Sequence, residues 1–438
     1  RGGISTRACN FELVYFQPKS SLNKEHQELY NNHKFVVVRQ LHYSKQNNNS
    51  IDMVIFLNGI PIITMELKNQ LTGQNVRNSQ NQYKTDRDPR EPLLQFKRCL
   101  VHFCVDNDEV SMTTQLRGLK TKFLPYNKDI SNPIVEDNYR TEYLWNEVLT
   151  PDSLLDIIEN FSLVSKESDK EWDSIKGKVV DKSFDVLIFP RYHQLEVIRN
   201  LKSSIKEEGV GNNYLIQHTT GSGKSYSIGW LSHMLTSLYK TDTDTKRMFD
   251  TILVITDRKV LDKQLQGTVT KLEQTEGVVN SFELNSQQLK EFLEKGKDII
   301  ITTVQKFPVI SETISQLKSK SFGVIIDEVH SSQSGETSKH LKKSLSKSEN
   351  ENDDEPIDYE EVIRKEIESR GKQSHISFLG FTGTPIENTD KNTDKIIVLE
   401  LWNDVDGSIR TYQSFEQMRQ FWEAQNNVLY YPIYAPIN

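Results

Sequence analysis

The chain has 438 residues, with 26% charged and 36% hydrophobic side chains, so it has room for two or three domains, each with its own core. No apolar run approaches the ~20 residues that a membrane-spanning helix needs, and none is expected. The formal net charge of −7 excludes a global basic field, so any nucleic-acid contact must come from local patches.

Arg1 stands first and no signal-peptide pattern follows it, which leads us to expect a fragment or a processed chain. Residues 1–165 read as one mixed α/β domain. Lys34–Leu41 is a strand candidate, and a polar loop, Gln46–Ser50, comes after it. Residues 51–69, IDMVIFLNGIPIITMELKN, form two β-rich arms around Asn58-Gly59, a hairpin signal. Asp52 sits at the open end of the first arm, and Glu66 and Lys68 at the open end of the second. Glu66 and Lys68 share a strand face because they are two apart. An unbroken two-residue hairpin would pair Leu57 with Ile60 and set Asp52 opposite Met65, leaving Glu66 on the wrong side. The expectation is therefore a three-residue connection or a bulge near Pro61, which cannot donate to a ladder.

Two carboxylates on one face can hold a hard cation such as Mg²⁺. Such a metal stabilises charge on a phosphodiester and lowers the pKa of a bound water, and a lysine beside it can orient that water. The stretch resembles the PD-(D/E)xK nuclease core, with Asp52, Glu66 and Lys68 in the motif positions and Ile51 where the proline usually stands. The resemblance implies that Asp52 and Glu66 are metal ligands and that all three are catalytic. The competing reading is a hairpin with a polar end.

Thr72–Lys84 reads as a polar helix on which Gln80 and Tyr83, three apart, share a face. The pair resembles the Gln/Tyr helix motif of some nucleases, which implies DNA contact. Gln82 or Ser79 could take the same places, and a solvated helix face explains the pattern equally well. Cys99–Asp106 and Glu109–Thr114 form a further strand pair. His102 in the apolar run is expected as a satisfied core residue. Cys9, Cys99 and Cys104 have no zinc-ligand spacing, and the latter two are expected as buried free thiols. That suits a reducing cytoplasm, and the richness in Asn and Lys points to a bacterial source. Leu144–Phe161 reads as helical with a break near Pro151. The charged segment 166–182 is expected as a linker.

A second domain, parallel α/β, is expected over 183–395. Gln194 precedes a helix about thirty residues before a glycine-rich loop. It resembles the adenine-reading Q motif of superfamily 2 helicases, with Tyr192 or Phe189 available to stack. The alternative is a glutamine at a helix start. The strand Tyr214-Leu215-Ile216 then enters Thr219-Thr220-Gly221-Ser222-Gly223, followed by Lys224, Ser225 and a helix. Such a loop turns backbone N–H groups and a helix N-terminus onto phosphate oxygens. Thr220, Gly221, Ser222 and Gly223 would line the cradle. Lys224 would reach the β/γ-phosphates of ATP, and Ser225 would ligate Mg²⁺. His218 stands where the strict pattern has glycine.

Four apolar strands follow, at Thr251–Thr256, Asp298–Thr303, Phe322–Ile326 and Ile376–Phe381. The alternation implies a parallel sheet with its chemistry at the carboxyl ends of the strands. Asp327 ends one strand and would hold Mg²⁺, and Glu328 would take a proton from the attacking water. The sequence of phosphate loop, TDR, TVQ, DEVH and TGTP resembles motifs I, Ia, Ib, II and III of superfamily 2 helicases, which have a RecA-like fold. By that resemblance Thr256, Arg258, Thr303 and Gln305 follow a nucleic-acid backbone, and Thr382 and Thr384 couple ATP state to DNA contact. Leu341–Gln373 is a charged insertion. Residues 396–438 are expected as the start of a second helicase domain or a truncated extension, with a strand at Ile396–Leu401 and a helix at Phe415–Gln425. No arginine-finger motif is recognisable there.

A nuclease-like hairpin ahead of a DEVH motor resembles the motor and cleavage subunit of type I restriction enzymes. FLNGIPIITMELKN, ITDRKVLDKQL and GFTGTPI carry the likeness. It implies ATP-dependent translocation and Mg²⁺-dependent cutting of double-stranded DNA, with specificity (S) and methyltransferase (M) subunits as partners. Two alternatives remain: an ATP-dependent helicase or repair translocase with a non-catalytic DNA-binding N-terminal domain, and a motor fused to its own methylation system.

Overall fold

A computed structural model describes residues 4–5, 10–18, 23–129, 131–173, 178–218, 221–256, 259–273, 277–281, 286–327, 373–382 and 429–433. The chain divides into two compact units between Leu195 and Glu196.

The first unit opens with a two-residue ladder, β1 (Ile4–Ser5) with β2 (Asn10–Phe11), and helix α1 (Lys24–Asn31). Its main sheet has six strands: β3 (Phe35–His42), β4 (Ser50–Leu57), β5 (Ile60–Leu67), β6 (Val101–Val105), β7 (Val110–Thr113) and β8 (Leu124–Pro125). They lie in sequence order, and only β5 and β6 run parallel. β5 and β6 are buried along most of their length, as expected of Val/Ile-rich inner strands covered on both faces. Helix α2 (Val76–Thr85) lies against β5 and β6. Asn75 caps it reciprocally with Asn78, and Val76, Ser79 and Tyr83 form its buried face. Residues 144–161 are helical as expected, with α3 (Pro151–Asp156) beginning at the break.

The β4–β5 turn uses Asn58 and Gly59 at φ +49° and +83°, the pair of positive values that a two-residue hairpin turn requires. Leu57 pairs with Ile60 and Phe56 with Pro61, but Ile55 then pairs with Ile63. Ile62 is the extra residue, a bulge directly after the proline. From there Met53 faces Met65, so Asp52 and Glu66 come to the same side. The expected register shift is present, in its bulge form.

Where it is described, the expected linker 166–182 falls on an antiparallel ribbon, β9 (Leu163–Asp173) with β10 (Lys178–Ile188), whose register runs from Leu163↔Ile188 to Asp173↔Lys178. A two-stranded ribbon has no need for a buried face, so charged residues that suggested solvent-exposed coil are compatible with strand.

The second unit is built on a seven-stranded, wholly parallel sheet. Helix α4 (Tyr192–Glu208) precedes it. The strands are β11 (Asn213–His218), β12 (Thr251–Thr256), β13 (Val279–Ser281), β14 (Ile299–Thr303), β15 (Phe322–Asp327), β16 (Ile376–Thr382) and β17 (Leu429–Ile433). Their order is β13-β14-β12-β15-β16-β11-β17. Helices α5 (Lys224–Leu235), α6 (Lys259–Lys271), α7 (Ser286–Lys295) and α8 (Phe307–Gln316) connect them. Leu253, Ile300, Phe307, Ile314, Val324 and Ile376 belong to one buried cluster between strands and helices. β17 pairs in parallel with β11, so Leu429–Ile433 forms an edge of this same sheet. The strand and helix expected at Ile396–Leu401 and Phe415–Gln425, and the insertion up to residue 372, lie outside the described residues.

Candidate active sites

The first site lies at the open end of the β4–β5 hairpin. Asp52 Oδ2 accepts the Leu67 N–H at 2.8 Å, and Lys68 Nζ is 3.9 Å from the same oxygen. Asp52 Oδ1 accepts Gln40 Nε2 at 2.9 Å. Gln40 in β3 has φ +50°, the left-handed region that is unfavourable for a residue with a side chain, and its Oε1 in turn accepts Ser50 Oγ. Arg39, Gln40, Asp52, Met53 and Leu67 line an open cleft of about 520 Å³.

Glu66 is fully buried. Arg87, just past the end of α2, donates Nε to its Oε1 at 2.6 Å and Nη2 to the Ser50 carbonyl at 2.8 Å. Glu66 Oε2 is buried with no hydrogen-bond partner. Burial pushes the Glu66 carboxyl up to about 7; Arg87 opposes that rise, and the nearby Asp52 carboxylate adds to it. A hard cation between the two carboxylates would give Oε2 the partner it lacks. Asp52 could serve too, since each of its oxygens keeps a free lone pair. Among the described residues no group of three or more His, Cys, Asp or Glu side chains comes together, so such a cation would complete its shell with water or phosphate oxygens.

The two helix candidates are placed differently. Tyr83 is fully buried, its hydroxyl 2.7 Å from Thr64 Oγ1, and it has no surface to offer DNA. Gln80 is half-buried and donates to Ser111 Oγ at 2.9 Å. His102 is a core residue, as expected. Its Nδ1 lies 2.6 Å from Thr64 Oγ1, and burial lowers its pKa to about 4. Cys99 and Cys104 are free and buried, and burial pushes both thiols up to about 12. Arg87 and Gln40 had no sequence signal. Arg87 lies in a charged run, KTDRDPR, that reads as a solvated helix end.

The second site is at the carboxyl ends of β11 and β15. β11 ends at His218, and Gly221 and Gly223 take φ of +79° and +88°, which lets the loop turn back before α5 starts at Lys224. His218 is fully buried and serves as the loop's brace. Its ring nitrogens contact Ser222 Oγ and, at 2.9 Å, Ser227 Oγ. Lys224 Nζ lies 3.4 Å from Asp327 Oδ1. Ser225 follows in the first helical turn. A lysine and a strand-end aspartate side by side at a helix N-terminus can hold an anionic phosphate and its counter-cation.

Gln194 is buried, and its Oε1 accepts the Arg191 N–H at 2.9 Å, the reciprocal bond of a residue three into a helix. Thr256 is buried at the end of β12. Thr303 is half-buried at the end of β14, and Gln305 belongs to the turn Val304–Lys306. Thr382 ends β16 opposite Gln217 of β11. Thr220, Arg258, Glu328 and Thr384 lie outside the described residues.

Residues 17–121 match the family described as type I restriction enzyme R protein N terminus, and residues 193–350 match the SWI2/SNF2 ATPase family. Among curated proteins, the chain is 28% identical over 388 residues to the type I restriction enzyme HindI endonuclease subunit of Haemophilus influenzae, covering 84% of this chain and 33% of that one. It is 24% identical to the SauMSSORF170P endonuclease subunit of Staphylococcus aureus, over 71% of this chain and 30% of the relative. A putative type I subunit of Methanocaldococcus jannaschii, MjaIXP, is 26% identical over 83% of this chain and 32% of its own length. The chain spans about a third of the length of these relatives.

Proposed function

We propose that this chain, which belongs with the R proteins of type I restriction enzymes, supplies the nuclease domain and first motor domain of such a subunit. The whole protein would use ATP to translocate double-stranded DNA and would cut it with Mg²⁺, in complex with S and M subunits in the bacterial cytoplasm. The observation that carries this reading is the Ile62 bulge, which brings Asp52 opposite Glu66 within reach of Lys68, in a chain whose second unit sets Lys224 against Asp327.

In the first unit Asp52 and Glu66 would hold Mg²⁺, which when bound polarises the phosphodiester and acidifies a water. Lys68 would orient the attacking water and offset phosphate charge. Gln40 and Leu67 N–H keep Asp52 in place. In the second unit Gly221, Ser222 and Gly223 would wrap the phosphates of ATP, together with Thr220. Lys224 would neutralise the β/γ-phosphates, and Ser225 and Asp327 would hold the nucleotide's Mg²⁺. Glu328 would accept the proton of the hydrolytic water. Arg258, Thr303 and Gln305 are the proposed DNA-backbone contacts, and Thr382 and Thr384 the coupling residues.

The two chemistries can be separated in the full-length protein assembled with its S and M subunits. Asp52→Ala should keep ATP turnover within about twofold and lose cutting. Lys224→Ala should lose both by a factor of ~10² or more, the scale of removing a principal transition-state contact. ATP turnover at wild-type rate in Lys224→Ala would overturn the motor assignment.

A further inference from the structure

The carboxylate centre has a residue that the motif does not contain. Arg87 is itself buried, 5% exposed, yet it has no part in the Asp52, Glu66 and Lys68 pattern. Its guanidinium is held at both ends, by Glu66 Oε1 through Nε and by the Ser50 carbonyl through Nη2. A planar fork fixed at two points leaves Glu66 one orientation: Oε1 stays on the arginine, and Oε2, fully buried and without a hydrogen bond, is the oxygen left for a ligand. Asp52 is fixed in the same manner, with Gln40 on one oxygen and the Leu67 N–H on the other. Both carboxylates therefore enter the centre with their free lone pairs already placed.

We propose that Arg87 is a positioning residue of this centre, locking the Glu66 carboxylate so that the site favours a small, geometrically demanding cation, Mg²⁺, over Ca²⁺. The inference rests on the nuclease reading of Asp52 and Glu66. Its physical basis is the difference between the two ions. Mg²⁺ requires near-ideal octahedral geometry at short distances, whereas Ca²⁺ accepts six to eight oxygens in loose arrangements. A rigid pair of ligands favours the first, and a mobile pair forfeits that preference. Arg87 also carries a positive charge, which repels any dication. That repulsion acts alike on two ions of equal charge and cancels in the ratio of their affinities, so the ratio isolates the positioning effect.

The test is calorimetric titration of the full-length protein, without nucleotide, with Mg²⁺ and with Ca²⁺. A background carrying Asp327→Ala keeps the motor site out of the measurement. Arg87→Met should shift the Mg²⁺/Ca²⁺ affinity ratio by about tenfold or more toward Ca²⁺, and Arg87→Lys, which keeps the charge without the fork, should shift it nearly as far. In a Glu66→Gln background, Arg87→Met should have no further effect on the ratio, because the arginine acts only through Glu66. An unchanged ratio in Arg87→Met, with both affinities moved equally or not at all, would overturn the inference while leaving the centre intact. If Glu66→Gln alone binds both ions as the wild type does, the nuclease reading itself falls. Hydrogen exchange in β5 and β6 distinguishes a shifted ratio from a misfolded domain: exchange like the wild type with a shifted ratio supports positioning, and collapsed protection in both Arg87 variants assigns the arginine to folding and overturns it.

Discussion

At the scale of single residues, burial decides chemistry here more often than residue type does. Glu66, His102 and Tyr83 all lie buried on or beside the same strand pair, and Glu66 and Tyr83 depart from what their sequence neighbours suggest. His102 gives a prediction with a definite sign. Its pKa falls to about 4 in the fold against an ordinary value near 6.5, because burial disfavours the charged ring. Between those values the unfolded chain binds the extra proton and the folded one does not. Stability is therefore fully present above pH 6.5 and is lost as pH falls toward 4, by about 3 kcal/mol in all. Glu66, raised to about 7, contributes a slope of opposite sign over much of this range. Urea unfolding of the first unit, followed by hydrogen exchange in β6, should therefore show the His102 slope as the difference between wild type and a His102 variant. His102→Gln should remove most of it, and an identical slope in the variant would contradict the assignment. His102 was legible as a core residue from its apolar run. Arg87 was not, since a charged residue after a helix says nothing about whether a buried carboxylate waits for it. Tyr83 was misread for the complementary reason: three-residue spacing shows that two side chains share a face, not whether that face meets solvent.

At the scale of elements, one inserted residue matters more than any strand propensity. Side chains alternate along a strand with period two, so a single-residue shift exchanges the faces. The need for such a shift was legible, because Asp52 and Glu66 could meet only if the pairing slipped, and Pro61 offered a place for it. Which form it would take was not legible. The structure uses Ile62 as the extra residue after an ordinary two-residue turn. Deleting Ile62 should close the bulge and leave Asp52 opposite Glu66, because Ile63 already pairs with Ile55. Inserting one alanine between Thr64 and Met65 should instead move Glu66 one place along β5, away from Asp52. In that insertion cutting should fall by about 10³-fold or more, as expected when catalytic groups are misplaced, with ATP turnover unchanged. Cutting at wild-type rate in the insertion would show that the hairpin does not bear the nuclease site. The β9–β10 ribbon illustrates the opposite limit. Its high charge resembles coil because exposed residues such as Asp181–Phe184 lack the apolar alternation by which strands are normally recognised.

At the scale of the whole molecule, the order of the two units carries the functional argument. The parallel sheet was legible almost strand by strand. β12, β14, β15 and β16 are continuous apolar runs ending in polar residues, the pattern of strands covered on both faces. The position of β17 was not legible, since a short aromatic segment does not reveal which sheet edge it will join. Neither unit alone distinguishes a translocase from a restriction subunit. The central claim is that the hairpin centre cuts and that the motor licenses the cut. Its most direct test is cleavage of unmethylated circular DNA by the full-length protein assembled with S and M subunits, in Mg²⁺, with and without ATP, comparing wild type with Glu66→Ala. The account predicts linear product only from wild type with ATP, and ATP turnover in both proteins. ATP turnover with no cutting by either protein, or equal cutting by both, would contradict it.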